Sequence, residues 1–254
     1  MPSSPVVLVT GAARRIGRAI ALELGAHGWD VAVHHRASHA EAAALVTDLR
    51  AGGASAESFA ADLADEPSCG ALVPAVAARF GRLDAVVHNA SVFEYDDVQT
   101  FGYAAMERHW RVNAGPAVIL ARALHAQLRE GSNGCLVNLL DQKLWNPNPD
   151  HLSYTLSKAA LEAATVALAQ ALAPRLRVCG VAPGVTLPSG PMSAAEFESA
   201  QRLAPLGRAS TPQDVAEAVR YLLGARAVTG TTLLVDGGQH LARQPRDVYF
   251  LAQS

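Results

Sequence analysis

The chain has 254 residues, 50% of them hydrophobic and 17% charged, and its formal net charge at pH 7 is -2. This composition is that of a compact folded protein and excludes an intrinsically disordered chain. Nucleic-acid-binding proteins normally carry a basic surface, so the charge argues against nucleic acid and for a small molecule as the ligand.

The cysteines and the N-terminal residues bear on the compartment. Cys69, Cys135 and Cys179 are far apart and form no C-x-x-C pair, which predicts buried free thiols rather than a metal site or a disulfide framework. The N-terminal residues have no basic region followed by an apolar one, and no apolar run reaches the ~18 residues of a membrane span. We therefore expect a cytoplasmic protein without a metal and without membrane contact.

The first half of the chain alternates short apolar runs with helical patterns. Residues 6–9 predict a strand, and the pattern over 18–24 predicts a helix that ends near Gly28. The same alternation predicts strands at 31–33, 57–61 and 85–88 and helices over 40–51 and 69–80. These segments therefore form β-α-β units.

The second half continues this alternation. Strands are predicted near 134–140, 178–182 and 231–235, and long helices begin near Tyr103 and Tyr154. Short continuous apolar strands between helices are typical of a parallel sheet that is covered on both faces. Since no repeat or linker divides the chain, we predict one α/β domain over 1–254, a single doubly wound Rossmann-type parallel sheet with helices on both faces. The proline-rich segment 183–205 is predicted to be irregular and to serve as a lid.

A turn rich in small residues separates the first strand from the first helix, where residues 10–18 read TGAARRIGR. Small residues let the backbone approach a pyrophosphate, whose charge then lies on the free N–H groups of the helix start. A purely structural turn is the alternative, but the position within a β-α-β unit favours a dinucleotide site. The predicted contacts in this turn are Gly11, Arg14, Arg15, Ile16 and Gly17.

The end of the second strand distinguishes NAD from NADP, because an acidic residue there would bind the ribose hydroxyls of NAD. This chain has His35, Arg36 and, two residues later, Ser38. Arg36 lies about 20 residues after Gly17, and its guanidinium can bind a 2′-phosphate through two hydrogen bonds. NADP(H) is therefore predicted, with an exposed basic turn as the alternative.

Two further segments follow strands at the carboxyl edge of the sheet, where ligands of such folds bind. Asp62 and Leu63 follow the third strand, and the Asp62 carboxylate is predicted either to accept a hydrogen bond from the adenine amine or to cap the next helix. Asn89 and Ala90 follow the fourth strand. All four are predicted cofactor contacts.

Tyr154 and Lys158 lie four residues apart on a predicted helix, so they share one face, ~6 Å apart along its axis. A phenol has an ordinary pKa near 10, and a nearby ammonium stabilises its anion. The pair is therefore predicted to deliver and recover a proton, although such residues on a helix are more often surface residues.

Together with Asn113, Pro183-Gly184 and the final Val235-Asp236-Gly237-Gly238, these motifs resemble the short-chain dehydrogenase/reductase family over nearly the whole chain. The resemblance implies that Tyr154 donates the proton and that Lys158 binds the nicotinamide ribose and lowers the tyrosine pKa. It also implies hydride transfer from NADPH and a relay water at Asn113. By the same resemblance, Pro183, Gly184 and Val185 would contact the cofactor.

Two positions depart from the usual family pattern. Asp141 stands where most members have a serine, and Arg15 replaces the middle glycine of the cofactor turn. With His35-Arg36 and the stretch 89–93, these departures resemble the pteridine reductases and the bacterial dihydromonapterin reductases. The resemblance implies a substrate site formed by Arg15, Ser91, Phe93, Asp141 and Tyr154.

In that site Phe93 would stack on a flat pterin ring, and Arg15 would contact the pterin oxygen or the cofactor phosphates. Asp141 would orient Tyr154 and relay a proton toward a ring nitrogen. Two alternatives stay open: Phe93 may cap the core, and Lys143 may pair with Asp141 and neutralise it.

Three hypotheses follow. The first is an NADPH-dependent reductase of pterins, the second a carbonyl or 3-oxoacyl reductase of the same fold, and the third a non-catalytic NADPH-binding sensor. The resemblance further implies a homo-oligomer, a dimer or a tetramer, built on the two long helices. The tail 243–254, with Tyr249, Phe250 and Leu251, would be exposed in a monomer and is expected to reach a neighbouring subunit's site.

Overall fold

The computed structural model describes residues 4–188 and 192–251. Within these residues the centre is a seven-stranded parallel sheet with the order β3-β2-β1-β4-β5-β6-β7. The strand order reverses between β1 and β4, as in doubly wound folds. The predicted fold class is confirmed. The strands are β1 (Val6–Val9), β2 (Asp30–His35), β3 (Ala56–Ala60), β4 (Ala85–His88), β5 (Gly134–Leu139), β6 (Leu176–Pro183) and β7 (Thr232–Val235).

Helices flank both faces of the sheet. Helices α1, α2 and α8 pack on one face, and α3, α5 and α6 on the other. The seven strands of the described residues lie in one sheet. The single domain over 1–254 stays a prediction. The helices are α1 (Arg15–Ala26), α2 (His39–Ala51), α3 (Glu66–Phe80), α4 (Tyr103–His109), α5 (Gly115–Gln127), α6 (Leu152–Ala171), α7 (Ala194–Arg202), α8 (Pro212–Gly224) and α9 (Val248–Leu251).

Strand β1 illustrates why the strands read as continuous apolar runs. Val7 and Val9 are buried in the core cluster on the α1 face, together with Ile20. Val6 and Leu8 are buried in the cluster on the opposite face. Successive side chains of a strand point to opposite faces, so a sheet with two covered faces needs an apolar residue at every position.

The predicted long helix near Tyr103 is interrupted. A π-helical turn, Trp110–Ala114, separates α4 from α5. Pro116 lies in the first turn of α5 and has no N–H to donate to an α-helical hydrogen bond, which favours a break just before it. Such turns are frequent at functional sites, and this one carries Asn113.

The predicted lid, 183–205, is not irregular throughout, because it contains α7. Ser193 and Glu196 form a reciprocal capping box at the start of this helix. The pattern S-x-x-E predicts such a helix start, whereas the prolines of the segment predict irregular structure; the capping box prevails. Residues 189–191 of the predicted lid, residues 252–254 of the predicted tail and residues 1–3 lie outside the described residues.

The three cysteines are buried and free, as predicted. Among the described residues, no helix combines the length and the apolar character that crossing a bilayer requires.

Thr10 joins the ends of β1 and β4 at the carboxyl edge of the sheet. Its buried hydroxyl accepts hydrogen bonds from the backbone N–H groups of Asn89 at 2.9 Å and Ala90 at 3.0 Å. The hydroxyl also lies 3.3 Å from His88 Nδ1. When the ring is protonated at Nε2, this nitrogen accepts a hydrogen bond from the hydroxyl. One side chain therefore holds the two strand ends together.

We predict that Thr10→Val lowers the free energy of unfolding by about 1–3 kcal/mol, because it leaves two backbone N–H groups without their acceptor. Urea denaturation measures the change. Thr10→Ser keeps the hydroxyl and serves as the control. Equal stability of the valine variant and the wild type would contradict the role assigned to this hydroxyl.

Candidate active site

The turn after β1 is compressed and tied to β4. A Cβ atom at Gly17 would lie 2.3 Å from the carbonyl oxygen of Gly11, so no side chain fits there. Asn89 Nδ2 donates to the carbonyl oxygens of Thr10 at 2.9 Å and Gly11 at 3.2 Å. Gly11 itself has a φ of +61°, in the left-handed region that favours glycine. The glycines and Asn89 therefore set the backbone path of the predicted pyrophosphate turn.

His34 also holds this turn, a role that the sequence analysis missed. Its Nδ1 accepts from the backbone N–H of Gly11 at 3.0 Å, which requires the proton on Nε2, and Nε2 donates to the carbonyl oxygen of Ala61 at 3.1 Å. Burial lowers the pKa of His34 to about 4, so the ring is neutral. The signal for this role was a histidine inside an otherwise apolar strand.

Arg15 occupies a backbone conformation that ordinary residues avoid. Its φ is +56°, in the left-handed region, and the family's usual glycine would adopt this conformation without strain. The guanidinium donates to the carbonyl oxygen of Pro188 at 2.9 Å and so reaches the predicted lid. Non-glycine residues in this conformation cluster at functional sites.

A cleft of about 550 Å³ lies at the carboxyl edge of β1, β2 and β4. The structure brings most of the predicted cofactor and substrate residues together around it. Lys158 and Asn113 are buried behind its wall, and Gly184 and Val185 line an adjoining cavity. The predicted residues that line the cleft are Gly11, Arg14, Arg15, Ile16, Gly17, His35, Arg36, Ser38, Asp62, Leu63, Asn89, Ala90, Ser91, Phe93, Asp141 and Tyr154.

The end of β2 offers several uncommitted polar groups. Arg36 is exposed and makes no ion pair within the described part of the chain. His35 Nδ1 is buried and lacks a hydrogen-bond partner, and Ser38 precedes α2 without capping it. A buried polar atom without a partner is costly. An anionic ligand bound here would accept hydrogen bonds from these groups and remove that cost.

The alternative role of Asp62 as a helix cap is wrong. Asp65 caps α3 by accepting a hydrogen bond from the backbone N–H of Ser68 at 3.0 Å. Asp62 accepts only from the nearby backbone N–H of Ala64 and lines the cleft. Its carboxylate can still accept a further hydrogen bond.

Tyr154 and Asp141 form the chemical centre of the site. The Tyr154 hydroxyl donates to Asp141 Oδ2 at 2.7 Å. The second carboxylate oxygen, Oδ1, accepts from the backbone N–H of Lys143 at 2.9 Å. Lys158 Nζ donates to the carbonyl oxygen of Leu139 at 2.7 Å and lies 5.7 Å from the centre of the tyrosine ring. The predicted pair therefore shares its space with a third ionisable group.

Burial governs the protonation of all three groups. It lowers the pKa of Lys158 to about 8. It also raises the pKa of Asp141 above its ordinary value. Burial and the neighbouring Asp141 raise the pKa of Tyr154 well above 10. In this structure the Tyr154 hydroxyl donates to Asp141, and the raising of the tyrosine pKa by burial and by Asp141 prevails. The lowering of the tyrosine pKa by Lys158 that the resemblance implies stays a prediction.

Asn113 is buried and all of its amide capacity is used. Its Oδ1 accepts from the backbone N–H of Val92 and from the Ser91 hydroxyl, and its Nδ2 donates to the Val92 carbonyl and to Ser157 Oγ. The π-helical turn places this side chain between the 91–93 loop and α6. Asn113 thus positions the loop that carries Phe93, and the implied relay water stays a prediction.

Phe93 is not a core residue, so the alternative that it caps the core is wrong. Its ring is 45% exposed and lines both the cleft and the adjoining cavity. His151 stacks on it at 4.1 Å, and the Tyr154 ring meets it edge to face at 4.7 Å. The ring is therefore fixed on one side and accessible on the other.

The Lys143 side chain makes no ion pair with Asp141 among the described residues. Its ammonium donates to the Asp150 carbonyl oxygen at 2.6 Å and pairs with Asp247 at 3.4 Å. Asp247 belongs to the predicted tail, and Arg246 beside it makes two-pronged hydrogen bonds to the Asp150 carboxylate. The described part of the tail thus lies at this chain's own cavity. Its expected reach to a neighbouring subunit's site stays a prediction.

A family model described as Enoyl-(Acyl carrier protein) reductase matches residues 11–240. Among solved structures, the chain is similar to FolM alternative dihydrofolate reductase 1 from Brucella canis complexed with NADP. The TM-score is 0.90 at 41% identity, over 97% of this chain and 98% of that one.

Two curated relatives span the whole fold. Pteridine reductase 1 from Leishmania tarentolae is 32% identical, over 95% of this chain and 98% of the relative. The 3-oxoacyl-[acyl-carrier-protein] reductase FabG from Staphylococcus aureus is 31% identical, over 95% of this chain and 100% of the relative. With the parallel sheet, the glycine turn and the Tyr154–Lys158 pair already described, these similarities lead to one conclusion: the chain belongs to the short-chain dehydrogenase/reductase family of oxidoreductases.

Proposed function

We propose that this protein is an NADPH-dependent reductase of flat nitrogen heterocycles of the pterin or dihydropterin class. The observation that carries the proposal is the partly buried hydrogen bond between Tyr154 and Asp141, beside the accessible face of Phe93. The similarity to a pteridine reductase and to an alternative dihydrofolate reductase supports it.

The cofactor we propose is NADP(H), which supplies a hydride to the substrate when it is bound. Arg36, with its unpaired guanidinium among the described residues, would bind the 2′-phosphate, and the orphaned Nδ1 of His35 lies at the same strand end. The compressed turn around Gly11 and Gly17 would receive the pyrophosphate. The NADP complex of the Brucella canis relative supports this choice.

The proton route runs through Tyr154. As hydride adds to the carbon of a ring C=N bond, the nitrogen takes the proton of the tyrosine hydroxyl. Asp141 holds that hydroxyl, and the raised pKa of its carboxyl lets it carry a replacement proton at higher pH than an exposed aspartate would. The Lys158 ammonium, with a pKa of about 8, offsets the negative charge left on this pair.

Asp141 favours a heterocycle over a ketone for an electrostatic reason. Reduction of a ketone develops negative charge on oxygen, and a carboxylate near that oxygen raises the energy of the transition state. A ring nitrogen that gains a proton carries no such charge. The carboxylate therefore suits a basic nitrogen, whereas a neutral serine would suit the ketone.

A second function remains a candidate. The match to a 3-oxoacyl-[acyl-carrier-protein] reductase favours a carbonyl or 3-oxoacyl substrate, with Asp141 in the place of the serine. The assembly of Tyr154, Asp141 and Lys158 in one buried space argues against the third hypothesis, a non-catalytic sensor.

We also propose a homo-oligomer, as the family resemblance implies. Helices α4, α5 and α6 carry large apolar side chains that are exposed in the single chain, which supports this proposal. These residues are Tyr103, Val118, Leu156 and Val166.

We predict that Tyr154→Phe keeps the affinity for NADPH within about twofold and lowers turnover by about 10²–10⁴, because only the proton donor is removed. Fluorescence titration with NADPH and the rate of NADPH oxidation measure the two effects. Turnover within tenfold of the wild type would sink the proposed proton route.

Asp141→Ser is the variant that separates the two candidate substrates. It restores the usual family residue, so we expect reduction of dihydrobiopterin to fall at least tenfold while reduction of ketones is maintained or rises. The readout is NADPH absorbance on a panel of dihydrobiopterin, dihydrofolate and 3-oxoacyl thioesters. A wild type that reduces only the thioesters would decide for the 3-oxoacyl reductase.

Arg36→Ala tests the cofactor. Loss of a charge-assisted contact worth about 1.5–3 kcal/mol raises the Kd for NADPH about 10- to 100-fold. The Kd for NADH, which lacks the 2′-phosphate, is the internal control and stays constant. Equal weakening of both nucleotides would place Arg36 outside the phosphate site.

A further inference from the structure

A second cavity of about 160 Å³ adjoins the cofactor cleft. The two share Arg15, Phe93 and Asp141, so a substrate held at Asp141 also faces this cavity. Its lining also includes Gln142, which follows Asp141, and Gln244, which precedes α9. Neither glutamine has a role in the proton chemistry.

A chain of hydrogen bonds fixes the orientation of the Gln244 amide. The backbone N–H of Val185 can only donate, so the Gln239 atom 3.1 Å away is its oxygen Oε1. The Gln239 nitrogen then donates to Gln244 Oε1 at 3.0 Å. Both side chains are buried. Gln244 is therefore left with its nitrogen Nε2, a donor, as the free end.

Each of these two glutamines has one buried amide atom without a partner among the described residues, Gln244 Nε2 and Gln142 Oε1. One is a donor and the other an acceptor. A buried polar atom without a partner costs about 1–3 kcal/mol, and native proteins rarely leave one unsatisfied. A ligand group that both accepts and donates would satisfy the two together.

The two segments that carry these glutamines are held together by hydrogen bonds and an ion pair. Arg246 makes two-pronged hydrogen bonds to the Asp150 carboxylate at 2.8–3.0 Å, and Asp150 accepts from the backbone N–H of Asp247 at 2.7 Å. Lys143 joins the same two aspartates. These contacts clamp the 142–150 loop, which carries Gln142, to the C-terminal segment, which carries Gln244. Because these segments are already held in place, a ligand that binds here loses less free energy to the ordering of the protein.

We propose that Gln142 and Gln244 are specificity-determining residues that together bind a donor–acceptor group of the substrate. Gln244 Nε2 donates to an acceptor of the substrate, and Gln142 Oε1 accepts from an N–H or O–H. This inference rests on the proposed pterin reduction. An amide-like ring edge and a hydroxylated side chain both have this chemistry, whereas a flat quinone has no donor.

The test uses Gln142→Met and Gln244→Met, which keep the side-chain length and remove hydrogen bonding. Each is expected to raise the KM for dihydrobiopterin about 2- to 10-fold, the loss of one hydrogen bond, with kcat and the KM for NADPH nearly unchanged. If Gln244→Met fails to fold, Gln142→Met, which leaves the hydrogen bond between Gln239 and Gln244 intact, carries the test.

Gln127→Met is the matched control. Gln127 also has a buried, unpartnered Nε2, but it lies at the end of α5 and outside both cavities. Its kinetics should equal those of the wild type for every substrate. A rise in the KM for dihydrobiopterin with Gln127→Met as large as with the other two variants would overturn the inference.

A second substrate distinguishes the two sources of the donor–acceptor group. If the variants also raise the KM for 6-methyl-dihydropterin, which lacks the hydroxylated side chain, the glutamines bind the ring edge. If only dihydrobiopterin is affected, they bind the side-chain hydroxyls. An unchanged KM for both pterins overturns the inference and leaves the proposed function intact, whereas a wild type that reduces no pterin overturns the proposed function and the inference with it.

Discussion

The hydrogen bond between Tyr154 and Asp141 is the constraint on which the site depends. It places a phenol and a carboxyl in a space that also holds the Lys158 ammonium; Tyr154 and Lys158 are buried, and Asp141 is half-buried at the cavity wall. Three ionisable groups cannot all be charged there without a high desolvation cost. The protein meets this cost with fixed partners: the Leu139 carbonyl accepts from Lys158, and the Lys143 backbone N–H donates to Asp141. The result is a centre in which the phenol and the carboxyl lie within hydrogen-bond distance and the ammonium lies beside the tyrosine ring.

The rest of the fold keeps this centre at a fixed distance from the cofactor turn. Thr10 and Asn89 join the ends of β1 and β4, so the turn cannot shift without β4. His88, at the end of β4, also contacts the Asn113 carbonyl oxygen at 3.1 Å, and Asn113 in turn donates to Ser157 on the catalytic helix. Burial lowers the pKa of His88 to about 3, so its imidazole is neutral at pH 7. A continuous set of hydrogen bonds therefore runs from the nucleotide turn to the catalytic helix.

The sequence predicted the parts that depend on local patterns. Apolar runs marked the sheet, and the residue at the end of β2 marked the nucleotide preference. The spacing of Tyr154 and Lys158 indicated a shared helix face. Contacts between distant segments left no such pattern. Gln142 and Gln244 lie about a hundred residues apart, and nothing in either local sequence shows that Asp150 and Arg246 bring their segments together. The break before α5 and the cap of α7 had local signals, Pro116 and the Ser193–Glu196 spacing, which the long apolar pattern and the prolines outweighed.

The replacement of the usual serine by Asp141 changes the chemistry more than it changes the shape of the site. A serine hydroxyl donates a hydrogen bond to an oxygen that becomes negative, whereas an ionised carboxylate can only accept and would repel it. In this chain the carboxylate already accepts from the tyrosine and from a backbone N–H, so its oxygens are directed at donors. A substrate therefore fits this arrangement when it can take a proton at the reacting atom, or when its own N–H groups face the acid. A flat heterocycle that has both a basic ring nitrogen and N–H groups meets both conditions, and the accessible face of Phe93 offers such a ring a flat surface next to Tyr154. The charge of the Asp141 carboxyl and the flat face of Phe93 thus favour the same class of molecule for independent reasons.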